Sequence, residues 1–226
     1  MRDIWEKQLQ WIKNSEPFAI ARVIKTWRSA PRKTGAGMLI GSRIDSNSLP
    51  KVAGSVSGGC IESAVIEEAL DTLKTGLPRN LSYGIEDELA MSVGLSCGGK
   101  VSILLEKHWA FSKNTNTKKV WEALQNCVKT NKPAVLISPI SKNSDQSDGY
   151  NSPLLILPND DLDKPPKVIG NTQNNQTTFL NLAIDVYNKR KNLITKLDGK
   201  EFFFQVFPRK DQLLIIGAGH ITIPLV

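Results

Sequence analysis

The sequence predicts a protein of the α/β class, and three observations predict it. Residues 4–14 place apolar side chains on one helical face, and residues 18–27 form an apolar run rich in β-branched side chains. Hydrophobic residues make up 40% of the 226-residue chain and charged residues 23%, which is ordinary for a globular protein. This composition disfavours a disordered chain and a coiled coil.

The first third of the chain alternates between helix and strand signals. After the helix that Pro17 ends, strands are predicted at residues 18–27, 38–40 and 52–56. A helix follows at once, with Ile61, Ala64, Val65, Ala69 and Leu73 on one face, and Gly76 and Pro78 end it. The order strand, glycine loop, helix N-terminus then recurs: Tyr83-Gly84 precedes an acidic helix start at residues 86–88, and Gly94 closes that helix.

The remaining elements form an α/β continuation of the N-terminal mixed α/β region. Helices are predicted at residues 118–129 and 179–187, and strands at 101–105, 134–140, 153–157, around Val168 and at 201–207. Residues 208–211 are interpreted as a linker. The strand 213–216 then runs into Gly217-Ala218-Gly219, which is typical of the first strand and turn of a Rossmann-like domain, here truncated. The predicted regions are 1–108, 109–207 and 208–226.

Charge and cysteine content limit the partners. The formal net charge of +7 favours anionic partners, but no run of Lys and Arg is long enough for a nucleic-acid arm. No signal peptide is seen, and the apolar stretch 213–226 is shorter than the roughly 20 residues that span a bilayer. Three cysteines do not make a disulfide framework. We therefore predict a cytoplasmic protein with free thiols that binds neither nucleic acid nor membrane.

The sharpest motif is a pair of glycine-flanked cysteines, Gly58-Gly59-Cys60 and Cys97-Gly98-Gly99. Glycines let a backbone approach a ligand closely, and the free N–H groups of a first helical turn bind anions. A cysteine at that place has its thiolate stabilised, so it can act as a nucleophile or a soft-metal ligand. The alternative is structural, because cysteine is often a small buried hydrophobe.

Other candidate residues carry weaker signals. Arg32 and Lys33 could meet a phosphate, although an ordinary solvated basic turn explains them as well. Cys127 is interpreted as core, and His108 as a surface residue at a strand end. No zinc spacing, nucleophile elbow or P-loop is present, and the metal content is left open.

The motifs together resemble the XdhC/CoxI family. The resemblance is carried by four segments in order: Ser29-Ala30-Pro31-Arg32, the block Gly54 to Glu62, the block Gly94 to Gly99, and Gly217-Ala218-Gly219-His220. It implies a maturation factor for molybdenum hydroxylases such as xanthine and carbon monoxide dehydrogenase. Such a factor binds the molybdenum cofactor, which carries a phosphate and dithiolene sulfurs, protects it transiently and delivers it to the apoenzyme.

Carried over to this sequence, the resemblance implies a set of cofactor-binding residues: Gly58, Gly59, Cys60, Cys97, Gly98 and Gly99, with Arg32 and Ser55 as weaker members. Gly217 and Gly219 form the dinucleotide-like turn. The third glycine of the dinucleotide fingerprint is replaced by Thr222, so NAD(P) binding is not expected of this chain. The expected partners are a hydroxylase apoenzyme, a cysteine desulfurase and further copies of the chain.

Three other functions stay open on the sequence. Gly217-Ala218-Gly219 allows an NAD(P)-dependent oxidoreductase, and Cys60 or Cys97 allows a thiol enzyme that transfers sulfur as a persulfide. The chain could also be an interaction domain that docks a hydroxylase and binds no small molecule. No acid, base or hydride-transfer apparatus accompanies the thiols, so a non-catalytic maturation factor is preferred over an enzyme.

Overall fold

The protein is a mixed α/β molecule with two antiparallel sheets, which confirms the predicted class. The computed structural model describes residues 1–28, 30–42, 48–84, 99–140, 152–159, 165–172, 175–211 and 216–217. Every strand pairing among these residues is antiparallel.

The first sheet has five strands, and its order is β3-β2-β1-β5-β4. Their bounds are β1 Phe18–Trp27, β2 Gly37–Gly41, β3 Val52–Gly54, β4 Arg79–Tyr83 and β5 Lys100–Lys107. The central strand β1 is buried over its first seven residues, because it lies between β2 and β5 and is covered on both faces.

The second sheet repeats this architecture with the order β8-β7-β6-β10-β9. Its strands are β6 Ala134–Ile140, β7 Leu154–Leu157, β8 Lys167–Ile169, β9 Leu193–Leu197 and β10 Lys200–Phe207. The tight turn between β9 and β10 uses Asp198 and Gly199, which both have positive φ angles of 49° and 80°.

Four α-helices are found in the described part of the chain: α1 Trp5–Lys13, α2 Glu62–Thr75, α3 Thr115–Lys129 and α4 Gln176–Asn188. Short 3₁₀ turns cover Arg2–Ile4 and Trp109–Phe111. The helix α2 ends at Gly76 in the left-handed conformation, as the sequence predicts.

Alternation along the strands builds four layers. On β1, Ala19, Ala21 and Val23 pack under α2, while Phe18 and Ile20 face the second sheet. On the second sheet, β6 and β10 likewise send alternate residues to α4 and to the interface between the sheets. The order α2, first sheet, second sheet, α4 follows from this period of two. The helices α1 and α3 close one end of the interface with their tryptophans.

A buried arginine joins the two sheets. Arg22 on β1 is fully buried, and its Nη1 donates to Gln205 Oε1 on β10 at 3.1 Å. Its Nη2 donates to Glu106 Oε2 on β5 at 2.6 Å and to Ser138 Oγ on β6 at 2.7 Å. The guanidinium also lies 4.8 Å from the Trp109 ring centroid. Charge, hydrogen bonds and an aromatic face are therefore all supplied to one buried cation.

The prediction that His108 lies at the surface is wrong, since the residue is fully buried. Its Nδ1 accepts the N–H of Ala110, so Nε2 carries the proton and donates to Gln8 Oε1 at 3.1 Å. Its ring centroid lies 4.5 Å from that of Phe18. Burial, and after it the charge of Arg22, lower the pKa of His108 to about 3. The imidazole is therefore neutral at physiological pH and serves the packing of the strand end.

Several element boundaries differ from the prediction. The strand β3 ends at Gly54 rather than at Val56, and β4 and β9 have no counterpart among the predicted strands. The predicted helix after Tyr83-Gly84 and the predicted strand 213–216 fall outside the described residues, apart from Ile216. The Rossmann-like start and the region boundaries at 108 and 207 therefore stay predictions.

Candidate functional site

A glycine-rich segment, residues 55–61, connects β3 to α2, and we call it the glycine–cysteine loop. Gly58 and Gly59 have φ angles of 85° and 120°, which side chains other than glycine rarely adopt. A Cβ atom on Gly58 would lie 3.3 Å from the side chain of Pro31. The loop is therefore packed closely against the basic turn 30–33.

The carboxylate of Glu62, the first residue of α2, lies at the centre of this loop. Glu62 Oε1 accepts the Ser55 hydroxyl at 2.7 Å and the N–H groups of Val56 and Ser57 at 3.2 and 3.0 Å. Glu62 Oε2 accepts the N–H of Gly59 at 2.9 Å, and it also binds the Ser57 hydroxyl. The Glu62 side chain thus accepts hydrogen bonds from most of the loop.

The two serine hydroxyls bind the remaining backbone donors. Ser55 Oγ accepts the N–H of Gly58 at 2.8 Å, and Ser57 Oγ accepts those of Cys60 and Ile61 at 3.0 and 3.1 Å. All backbone N–H groups of residues 56–61 are therefore engaged within the loop. These N–H groups are therefore not open to an external anion, because the Glu62 carboxylate and the two serine hydroxyls bind them. The expectation that the first turn of this helix binds an anion stays a prediction.

These hydrogen bonds set the charge state of Glu62. Partial burial alone would raise the pKa of its carboxyl, but the Ser57 and Ser55 hydroxyls and the backbone donors outweigh burial and lower it to about 2. Glu62 therefore stays ionised at neutral pH and holds the loop in one conformation. Ser55, predicted as a cofactor-binding residue, is found here as a partner of Glu62.

The thiol of Cys60 lies at the edge of the loop. Cys60 is half-buried, is not in a disulfide and packs against the apolar cluster beneath α2. Its position next to two positive-φ glycines leaves it part of a rigid turn while a portion of its surface stays accessible. Cys127, by contrast, is 2% exposed in the core between α3 and the sheets, which confirms its interpretation as core.

The second motif reaches the same end of the strands of the first sheet. Gly99 lines a small depression of about 10 Å³ together with residues of the glycine–cysteine loop and of the basic turn: Ala30, Pro31, Val56, Ser57, Lys100 and Val101. This volume is about that of one water molecule, so it marks contact between the segments and not a ligand site. Cys97 and Gly98 fall outside the described residues, as does Gly219. Gly217 is described and has a φ angle of 116°.

On the other side of Pro31 lies a larger opening, which we call the basic cleft. Its volume is about 500 Å³. Its lining combines the start of the chain, the turn 31–36 and the second sheet: Met1, Arg2, Asp3, Pro31, Arg32, Lys33, Thr34, Gly35, Ala36, Asn192, Gln205, Val206, Phe207 and Pro208. Arg32 Nη2 pairs with the Asp3 carboxylate in this cleft. Arg32 is therefore more than a solvated turn residue.

Sequence reasoning missed Glu62 and Asp3. In the sequence Glu62 looks like one more polar residue of α2, although two serines and a glycine pair stand within seven residues before it. An acidic residue in the first turn of a helix after such a segment is a capping signal that could have identified it. Asp3 gave no signal, because its partner Arg32 is distant in sequence.

The described residues contain no group of three or more His, Cys, Asp and Glu side chains that could hold a metal ion. None of their helices has both the length and the apolar character that crossing a bilayer requires.

Comparison with known proteins identifies the segment that holds these motifs. The model of the XdhC and CoxI family matches residues 11–84, which include the basic turn and the entire glycine–cysteine loop. The match ends before Gly99, so the second motif lies beyond it.

Two curated proteins of Escherichia coli (strain K12) are similar to parts of this chain. The uncharacterized protein YqeB is 35% identical over 92 residues, which cover 41% of this chain and 16% of YqeB. The molybdenum cofactor insertion chaperone PaoD is 34% identical over 106 residues, which cover 47% of this chain and 31% of PaoD. The matched segments thus span less than a third of either curated relative.

A solved structure has the same fold. The crystal structure of a xanthine dehydrogenase from Bacillus halodurans matches 91% of this chain and 53% of its own, with a TM-score of 0.57. The two sequences are 20% identical, and at that identity the likeness shows the fold alone. The match covers most of the chain, and so extends well beyond residues 11–84.

Proposed function

We propose that this chain is a maturation factor for a molybdenum hydroxylase, which binds molybdenum cofactor as cargo and hands it to the apoenzyme. The observation that carries the proposal is the family match, because it contains the Pro31 turn and the whole glycine–cysteine loop. The similarity to the cofactor insertion chaperone PaoD supports it. The proposed target is a hydroxylase of the xanthine or carbon monoxide dehydrogenase type.

The geometry supports a site for a sulfur-rich metal cargo at Cys60. Cys60 is half-buried and not in a disulfide, and Glu62 fixes the loop that carries it. A thiolate is a soft ligand that suits molybdenum or its sulfur ligands, and a rigid supporting loop keeps it in place. Gly58 and Gly59 allow the cargo to approach the backbone closely. Gly99, the last residue of the second motif, lies beside the glycine–cysteine loop. Cys97 and Gly98 are part of the proposed site.

The charge state of Glu62 favours a protein that holds its cargo over one in which Glu62 acts as a general acid or base. A general acid or base works best when its pKa lies near the operating pH. The pKa of Glu62 is about 2, and its oxygens are already bound to the loop. A non-catalytic carrier in the cytoplasm, where Cys60 stays reduced, is therefore the proposed role. A cysteine desulfurase partner and a homo-oligomer stay predictions.

A binding titration with isolated molybdenum cofactor tests the proposal. Cys60→Ala and Cys97→Ala should each weaken binding by about tenfold or more, because each removes a ligand of the cargo. Cys127→Ala is the matched control, since it removes a thiol that is buried away from the loop. Absence of binding by the wild-type chain contradicts the role. Equal affinity of wild type, Cys60→Ala and Cys97→Ala would show that neither thiol takes part in binding the cofactor.

A further inference from the structure

The basic cleft is a preformed cavity between the two sheets. Asn192 Nδ2 donates to the carbonyl of Thr34 at 3.0 Å, and Gln205 Nε2 donates to the carbonyl of Gly35 at 3.2 Å. These bonds pin the turn of the first sheet to the second sheet. The cleft volume of about 500 Å³ falls within the range of small-molecule sites.

The charge of the cleft is unbalanced. Arg2, Arg32 and Lys33 line it, and Asp3 is the one acidic side chain among its described lining residues. Arg32 pairs with Asp3, and Arg2 donates to the carbonyl of Pro208. The Nε atoms of both arginines are enclosed and have no hydrogen-bond partner among the described residues. The guanidinium groups thus have more donors than the protein supplies acceptors.

Asp3 takes the position of an anion in this cleft. One of its oxygens binds Arg32, and the other lies 3.0 Å from the main-chain nitrogen of Met1. The Asp3 side chain is 37% exposed, so it can turn outward into solvent without losing buried packing. A dianionic phosphate would bind Arg32 and its neighbours more strongly than this single carboxylate does.

The glycine–cysteine loop does not compete for the same anion. Its backbone donors are bound to Glu62, Ser55 and Ser57, so a phosphate would have to displace an internal carboxylate whose pKa is about 2. Pro31 is shared between the loop edge and the cleft. The basic cleft, in contrast, holds cationic side chains whose donors outnumber the acceptors that the described residues supply.

The walls of the cleft suit a flat heterocycle beside the phosphate. Pro31 and Pro208 offer apolar surface, while the Asn192 and Gln205 amides, held by their own hydrogen bonds, form a fixed polar wall. Small-molecule sites commonly combine such apolar walls with a few fixed polar groups.

We propose that the basic cleft binds a phosphomonoester of a flat heterocycle, that Arg32, Arg2 and Lys33 bind the phosphate, and that Asp3 is a built-in anion that this ligand displaces. The inference deepens the proposed function, because the phosphate end of the cargo is such a group. It rests on that function for the identity of the natural ligand, while the site itself rests on the charges and shape of the cleft.

Calorimetric titration of the full chain with guanosine 5′-monophosphate tests the cleft. Guanosine, the neutral analogue, should bind about tenfold more weakly or worse, because it lacks the charged acceptor. Inorganic phosphate, which lacks the heterocycle, should also bind more weakly. Equal affinity for the nucleotide and guanosine overturns the phosphate assignment, and equal affinity for the nucleotide and inorganic phosphate overturns the heterocycle assignment.

Single substitutions measure the contribution of each charged residue of the cleft to nucleotide binding. Arg32→Gln should weaken nucleotide binding by about tenfold, and Arg79→Gln is its matched control, because both arginines are 34% exposed and paired with carboxylates. Lys33→Gln should also weaken binding, and as an exposed residue it leaves the packing intact. Asp3→Asn should strengthen binding several-fold, because the competing charge is gone. Unchanged affinity in Arg32→Gln and Lys33→Gln, or weaker binding by Asp3→Asn, overturns the proposal.

The two proposals fail separately. If the nucleotide binds as expected but isolated molybdenum cofactor does not bind, the cleft assignment stands and the maturation role is wrong. If the cofactor binds the wild type and Arg32→Gln equally well, the maturation role stands and the phosphate lies outside this cleft.

Discussion

At the scale of single residues, Glu62 is the group that organises the glycine–cysteine loop. Its carboxylate takes the place that an external anion would have at the start of α2, and it does so with donors from Ser55, Ser57 and Gly59. A loop with many glycines would otherwise be costly to order. The fixed position of Cys60 is a consequence of this internal capping.

Replacement of Glu62 should therefore destabilise the protein. We expect Glu62→Gln to lower the free energy of unfolding at pH 7 by about 1–3 kcal/mol, because several donors lose a charged acceptor. Chemical denaturation measures the change. Glu67→Gln is the control, since Glu67 is an exposed carboxylate on the same helix. An equal effect of both replacements would contradict the role of Glu62.

The same carboxylate predicts a pH dependence. The pKa of Glu62 falls from 4.5 to about 2 on folding, so its stabilising contribution is complete above about pH 4.5 and is lost as the pH falls toward 2. The difference in unfolding free energy between wild type and Glu62→Gln should thus shrink across this window. A difference that stays constant from pH 5 to about pH 2 would contradict the assigned pKa.

At the scale of elements, the glycines at the two ends of the α2 segment have different tasks. Gly54, at the end of β3, has a φ angle of 82°, and a Cβ there would lie 2.4 Å from the carbonyl oxygen of Gly37. Gly76, which caps α2, has a φ angle of 75° and open space around a Cβ. Position 54 therefore requires both a positive φ angle and the absence of a side chain, whereas position 76 requires only the positive φ angle.

Alanine substitution distinguishes the two tasks. Gly76→Ala should cost about 1–2 kcal/mol of unfolding free energy, the price of the left-handed conformation. Gly54→Ala should cost clearly more, because the backbone of β2 must also move. Thermal and chemical unfolding of both variants measure this. Equal costs would show that the β2–β3 contact is looser than the structure has it.

Strands with a strongly apolar sequence of their own are predicted well, and strands that depend on a pairing partner are not. Strands β1, β6 and β10 are strongly apolar or β-branched, and the prediction places each of them within a residue of its observed bounds. The edge strands β4 and β9 are short, carry polar residues and are mostly half-exposed. The pairing with β5 holds β4 in place, and a single sequence does not display a partner so far along the chain. The pairing of β9 with β10 is local, and its Asp198-Gly199 turn is a hairpin signal that could have identified β9.

At the scale of the whole molecule, one buried cation connects the two sheets. Arg22 binds Glu106 within its own sheet and Ser138 and Gln205 in the other. The sequence interval from Arg22 to Gln205 is 183 residues. Local patterns do not show such a contact, and Arg22 looks like an ordinary polar residue in a strand. For the same reason the burial of His108 was missed.

Removal of Arg22 should weaken the whole fold. We expect Arg22→Met to lower the unfolding free energy by about 3–5 kcal/mol, because Glu106 is left nearly buried without its cation. Glu106→Gln in the same chain should recover part of the loss. Arg79→Met, at a partly exposed pair, should cost about 1 kcal/mol or less. Equal denaturation midpoints for Arg22→Met and Arg79→Met would contradict this account.

The central claim is that cargo is held at the glycine–cysteine loop, and alkylation of Cys60 tests it most directly. The full chain is treated with iodoacetamide with and without molybdenum cofactor at about ten times its Kd, and peptide mass spectrometry follows Cys60, with buried Cys127 as the internal reference. We predict that the cofactor slows alkylation of Cys60 by about tenfold, as expected when about a tenth of the protein stays unbound. An unchanged rate at Cys60, with the cofactor bound, would contradict the account.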